Sequence, residues 1–186
     1  MKNTLLILVL IATVLSVTTA KAQLLGNNER YSQYVYHINV GVDGLYNINP
    51  GSKTYKPGFG ISGKFQYDVT QNLGVTLGVG YTIINADNSR VYGTNPILRP
   101  DLKMIPVKLG AKAYFLPEFY FGGEVGLVYA DPYIDEKSKS HMGKVLAPSI
   151  GYETNHLDLS FRYENTSHNN AYVSFIALRA AYSFNF

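Results

Sequence analysis

Apolar residues recur at every second position through eight segments of this chain, near His37–Asn47, Gly58–Val69, Leu73–Ile84, Met104–Leu116, Tyr120–Ala130, Lys144–Glu153, Leu157–Glu164 and Ala171–Phe186. Successive side chains of a strand point to opposite faces, so this spacing predicts strands with one apolar face each. No stretch of the region carries apolar residues at helical spacing over three turns. In the second segment Phe59, Ile61, Phe65, Tyr67 and Val69 share a face, interrupted by Gly63, against Gly58, Gly60, Ser62, Lys64, Gln66 and Asp68. The seventh sets Leu157, Leu159, Phe161 and Tyr163 against Asp158, Ser160, Arg162 and Glu164.

The connections alternate in length. Thr70–Asn72, Pro117–Phe119 and Asn155–His156 are tight turns, whereas Ile48–Pro57, Asn85–Lys103, Asp131–Gly143 and Asn165–Asn170 are longer and polar. Strands joined this way run antiparallel, with short turns at one end and loops at the other. An even strand number puts both ends of the sheet at the turn end. Eight such strands predict an all-β, up-and-down antiparallel barrel.

Two barrels share this pattern: a soluble one with its apolar face inside, and a membrane one with that face against lipid. Side-chain volume separates them. The apolar faces carry Tyr46, Phe59, Phe65, Tyr67, Tyr81, Phe115, Phe121, Tyr129, Tyr152, Phe161, Tyr163, Tyr172, Tyr182, Phe184 and Phe186. An eight-stranded barrel is only wide enough inside for side chains to fill it, so these rings belong outside. The opposite face suits a narrow interior, because Gly41, Gly58, Gly60, Gly74, Gly78, Gly80, Gly110, Gly122, Gly126 and Gly151 fall on it. Along each strand the aromatics cluster near the two ends and leave an aliphatic middle, the girdle arrangement of a transmembrane barrel.

The inward face also carries charge. Lys64, Lys108, Lys112, Arg162 and Arg179 stand against Asp43, Asp68, Glu124, Glu153, Asp158 and Glu164. Near-neutrality of buried charges is what mutual pairing requires. Open aqueous channels need about 16 strands. The expectation is therefore a plugged polar lumen held by ion pairs, with Glu124 a partner for Lys108 or Lys112.

The first residues predict export. Lys2 precedes an apolar run from Leu5 to Val17, and Ala20-Lys21-Ala22 is a small-x-small cleavage site. That run is shorter than the ~20 residues of a spanning helix. Residues 1–22 are expected to be a signal peptide cleaved after Ala22. Residues 23–186 would form the barrel domain, with 23–35 a periplasmic segment leading into the first strand. Without Lys2 and Lys21 the chain keeps 14 basic side chains against 13 acidic. That balance excludes the basic face that nucleic-acid binding needs. Cysteine is absent, which excludes disulfides and thiolate metal sites.

With this signal, the eight alternating strands, the turn–loop asymmetry, the "LDLSFRYEN" segment and the closing "AYSFNF", the chain resembles the small eight-stranded outer-membrane barrels of the OmpX and OmpA-like family. The resemblance implies an outer-membrane protein with periplasmic termini, set in lipid and lipopolysaccharide. It also implies that Tyr182, Phe184 and Phe186 form the signal read by the barrel-assembly machinery.

Chemistry is sparse. Some barrels of this size act on the acyl chains of lipid A, with a His and a Ser two apart on one strand face. Here Ser167 and His168 are adjacent, so a strand would point them to opposite faces, and they are expected in a solvated loop. His37, His141, His156 and His168 show no metal spacing. "DPYIDEK", Asp131–Lys137, lacks the order and the glycine of a calcium loop. No cofactor is expected. The Asn85–Lys103 loop offers Arg90, Tyr92, Arg99 and Lys103 as a surface for a protein, a glycan or lipopolysaccharide phosphate. The reading is a non-enzymatic surface or envelope-structural protein that acts through its loops. The alternatives are a subunit of an envelope or secretion assembly, and an enzyme acting on lipid A.

Overall fold

A computed structural model describes residues 35–49, 56–87, 101–131, 142–168 and 171–186. Eight strands form a closed barrel: β1 Tyr36–Asn47, β2 Gly58–Thr70, β3 Leu73–Ile84, β4 Leu102–Tyr114, β5 Phe119–Asp131, β6 Met142–Glu153, β7 Leu157–His168 and β8 Ala171–Asn185. Each strand pairs antiparallel with its neighbours in sequence, and β1 pairs with β8 from His37↔Asn185 to Asn47↔Phe175. Beyond that ladder, Phe186 N–H donates to the Tyr36 carbonyl at 3.0 Å. Closure leaves no free sheet edge, which is what lets strands sit in hydrocarbon. At 12–15 residues, each strand is long enough to span at a tilt.

The alternation in sequence becomes an alternation in burial. In β1 every second residue from His37 to Asn47 is buried, while Tyr36, Ile38, Val40, Val42 and Tyr46 are exposed. The aromatics assigned to the apolar faces all lie on the outward set. Phe115 and Tyr152 are half-buried there because neighbouring rings cover them, Phe121 at 4.6 Å and Phe119 at 5.0 Å between centroids. The ladders are interrupted beside two prolines. Register passes from Val79↔Val107 to Thr82↔Met104 around Pro106, and from Leu146↔Asn165 to Ser149↔Arg162 around Pro148. Proline has no N–H to give the ladder.

Three details differ from the sequence expectation. First, β7 runs on to His168, so the segment 165–168 is strand rather than loop. Asn165, Thr166 and Ser167 pair with Ser174, Val173 and Tyr172, because a backbone ladder does not need apolar side chains. Ser167 accordingly lies in a strand, not in a solvated loop. Second, Lys103 lies in β4, exposed, at the register of Asp131. It is a rim residue of the wall rather than a loop residue. Third, the interior is not polar throughout. At the loop ends of the strands Leu45, Ile84, Leu102, Met104, Val128, Ala130, Phe175 and Ala177 face inward and form one buried apolar cluster, with Val173 against it. These residues keep the inward parity of their strands above the level where charge ends.

Candidate functional site: the ion-pair network of the lumen

Every charged residue assigned to the interior lies inside the barrel, from mid-strand to the turn end, and the structure joins them into one network. Glu124 on β5 receives Lys64 from β2 and Lys108 from β4, the latter at 3.4 Å. Lys108 also reaches Glu164 on β7 at 3.0 Å. Glu164 contacts Arg162 at 3.2 Å, and Arg162 Nη2 donates to Asp43 on β1 at 2.8 Å. Toward the turns, Lys112 on β4 bridges Glu153 on β6 at 2.7 Å and Asp158 on β7 at 2.9 Å. Arg179 on β8 meets Asp158 at 3.2 Å and donates from Nε to Ser62 at 3.0 Å. Ser62 in turn donates to Asp43, which joins the two halves of the network. Asp68 accepts from Gln66 at 2.8 Å and faces His37 at 3.0 Å.

All these charges are at least nine-tenths withdrawn from solvent, with Asp158 fully buried. A buried ion costs several kcal/mol to desolvate, so each survives only with partners. Period-two geometry supplies them. Charges two or four residues apart on one strand stack on the inner wall and meet those of facing strands across a narrow lumen.

Several members were not singled out from the sequence. Tyr114 and Tyr120 point inward, where Tyr114 donates to Glu153 and Tyr120 donates to Asp158 at 2.7 Å. Gln66 donates to the Tyr114 hydroxyl at 3.0 Å. The Lys112 ammonium sits 4.4 Å from the Tyr120 ring centre, a cation–π contact. Parity could have found them. Tyr114 shares a face with Lys108 and Lys112, Tyr120 with Glu124, Gln66 with Lys64, and His37 with Asp43. Glycine makes the room. A Cβ on Gly151 would stand 2.3 Å from Cζ of Tyr120.

Among Asp43, Lys64, Lys108, Glu124, Arg162 and Arg179 lies a cavity of only about 20 Å³, enough for one water. A far larger groove, about 820 Å³, lies on the outward face, walled by Phe59, Ile61, Leu178 and Phe161 around Gly44. His156, in the β6–β7 turn, stacks on Tyr182 with ring centres 5.6 Å apart, so it takes no part in the network. Among the described residues no group of three or more His, Asp or Glu is placed to hold a metal ion. Tyr182, Phe184 and Phe186 lie on the outward face, as exposed rings at the turn end. Arg90, Tyr92 and Arg99, His141 and residues 132–137 of the acidic stretch lie outside the described residues.

A closed eight-stranded antiparallel barrel, apolar outside and charged within, is the architecture of the small outer-membrane barrels. Solved structures agree. Ail, the attachment invasion locus protein of Yersinia pestis, is 17% identical with a TM-score of 0.56, over 82% of this chain and all of that one. Neisserial surface protein A is 16% identical with a TM-score of 0.53, over 81% of this chain and 97% of that one. The N-terminal β-barrel domain of Pseudomonas aeruginosa OprF is 10% identical with a TM-score of 0.53, over 80% and 97%. Ail has also been solved in complex with the heparin analogue sucrose octasulfate. No protein-family model matches the sequence, and no curated protein does. At these identities the likeness establishes the fold, a closed eight-stranded antiparallel barrel.

Proposed function

We propose that the protein resides in the outer membrane with its termini in the periplasm, catalyses no reaction, and works as a rigid post presenting its long loops outside. The observation that carries this reading is the interior. Among the described residues ion pairs and a cluster of apolar side chains line it, and the cavity among the charges holds about 20 Å³. On this reading such a barrel has no path for solutes. Its wall is committed to lipid, so the loops remain for recognition. Residues 1–22 act as the cleaved export signal, and Tyr182, Phe184 and Phe186 present the strand that the assembly machinery reads.

The loop between β3 and β4 is the contact surface on this reading, with Arg90, Tyr92 and Arg99 in it and Lys103 at its foot on the rim. Two arginines and a lysine suit sulfate, phosphate or carboxylate through charge-assisted hydrogen bonds. The Ail complex with a sulfated sugar is a precedent for a barrel of this fold meeting a polyanion. Lipopolysaccharide phosphates at the same rim are the lipid form of that chemistry. A protein partner in an envelope assembly would use the same loops.

Planar-bilayer recording of the refolded barrel tests the central claim: silence is expected, and stable unit conductance would refute it. Deleting residues 88–100 is expected to abolish retention on a sulfated-glycan or lipopolysaccharide matrix while the heat-modifiable gel shift stays intact. Unchanged retention would place recognition elsewhere. Lipid A extracted from overexpressing cells should keep its acyl pattern.

A further inference from the structure

We propose that His37 is a proton-binding site: a buried imidazolium that ties the first strand to the second and the eighth at the closure of the barrel. His37 is almost fully buried and is the lumen-facing residue nearest the turn end of β1. Its Nε2 lies 3.0 Å from Oδ2 of Asp68 on β2, and its Nδ1 lies 2.7 Å from Oδ1 of Asn185 on β8. Both partners are oxygens. A neutral imidazole has one N–H and one bare nitrogen, so it can satisfy only one of them.

The orientation of the Asn185 amide is set independently. Its Nδ2 donates to the backbone carbonyl of Asn155, in the β6–β7 turn. Turning the amide over would bring its oxygen against that carbonyl oxygen, two acceptors face to face. The oxygen of Asn185 therefore belongs to the histidine, and both ring nitrogens must carry protons. Asp68 is held in turn, because its other oxygen accepts from Gln66 at 2.8 Å.

Charge accounting leads to the same state. Among the described residues the lumen holds five side-chain cations, Lys64, Lys108, Lys112, Arg162 and Arg179, against six carboxylates, Asp43, Asp68, Glu124, Glu153, Asp158 and Glu164. A charged His37 makes the sixth cation. The groups facing it from each side agree. Asp68 faces it from β2 and the neutral Asn185 from β8. The inference does not depend on which way the barrel lies in the membrane.

The test is ¹⁵N NMR of the histidine rings in the folded barrel in detergent micelles at pH 7.5. There an ordinary histidine, titrating near 6.5, is about nine-tenths neutral. His37 is expected to show two protonated nitrogens, and a single protonated nitrogen would overturn the proposal. In Asp68→Asn, scored as folded by its heat-shifted gel band, His37 should become neutral at the same pH. A ring that stays doubly protonated there would overturn the pairing. The stability consequence has a definite sign. The proton is bound by the fold, so its contribution is present at low pH and is lost as pH rises and the ring deprotonates. Between pH 7.5 and 9.5 the urea midpoint of the wild type should fall more than that of His37→Gln, and equal falls would refute the tie. Should His37→Gln fail to fold, the wild-type NMR alone decides.

Discussion

The two ends of this lumen solve one packing problem in opposite ways. Toward the loops, Leu45, Ile84, Leu102, Met104, Val128 and Phe175 fill the barrel as a soluble core is filled. Toward the turns, the same width is filled by Lys112, Glu153, Asp158 and Arg179, with Tyr114 and Tyr120 supplying hydroxyls. Apolar packing is non-directional, so a lost side chain there costs its volume. An ion-pair network is directional, so a lost member costs the desolvation of whatever it leaves behind. The two halves should therefore answer truncation differently, although the side chains removed are of similar size.

The largest difference is expected at Lys112. It is the shared cation of Glu153 and Asp158, 2.7 and 2.9 Å away. Lys112→Met keeps most of the volume and removes the charge, taking from two buried carboxylates the cation they share, although Asp158 keeps Arg179. A loss of about 3–5 kcal/mol in urea unfolding from lipid vesicles is expected. Adding Glu153→Gln should recover part of that loss, because one of the two under-compensated charges disappears with the change. A double variant no more stable than the single one would mean that the network does not act through charge balance.

Phe175 is the matching probe in the apolar half. Phe175→Ala should cost about 3 kcal/mol through the cavity it opens. It has no partner whose removal can restore the loss, whereas a larger neighbour, such as Ala177→Leu, can refill the space. Conductance sharpens the comparison further. Phe175→Ala with Met104→Ala removes two of the bulkiest side chains of the loop-end cluster, and the barrel should still be silent in a planar bilayer if the charged half closes the lumen below. Current through that variant would show that the apolar cluster alone blocks the path.

Space rather than charge is at stake at Gly151. Its would-be Cβ collides with Tyr120, 2.3 Å from Cζ. Gly151→Val should cost about 1–3 kcal/mol by displacing the ring that donates to Asp158. Relief by Tyr120→Leu in the same chain would separate overpacking from a weakened strand.

How much of this was legible in the sequence follows from one rule. Where a strand alternates sharply, parity assigns every side chain, and a charge in such a strand has only the inside to go to. That is why Asp158, Arg162 and Glu164 could be placed from the seventh segment alone. The rule weakens where both faces carry the same kind of residue. At "II" in β3 and "LKMI" in β4 the inward residues are apolar as well as most of the outward ones, so the loop-end cluster left no contrast to read. It weakens again at Asn165–Ser167, polar on both faces, where alternation fades but the ladder to β8 continues. The parity of Arg179, carried four residues back, would have put Phe175 inside. The geometry of His37 was out of reach for another reason, since it joins residues 31 and 148 positions away.

A second phenylalanine carries the comparison to the outer surface, where the effect on stability is expected to be smallest. Phe175 and Phe186 are the same residue on the same strand path, one wholly buried in the lumen and one 66% exposed beyond the end of β8. Phe186 is tied in by its backbone, donating to the Tyr36 carbonyl at 3.0 Å. That bond survives a change of side chain. Phe186→Ala should therefore lower the stability of the assembled barrel by under about 1 kcal/mol, the range of an exposed position. On the reading that the assembly machinery recognises Tyr182, Phe184 and Phe186, the same change should lower the amount reaching the outer membrane several-fold. Membrane fractionation at equal synthesis, set beside urea unfolding of the purified barrel, separates the two quantities. Equal amounts of mutant and wild type in the membrane would confine the role of Phe186 to the interface. A large loss of stability would mean that the ring holds the closure of the sheet, as Phe175 holds the interior.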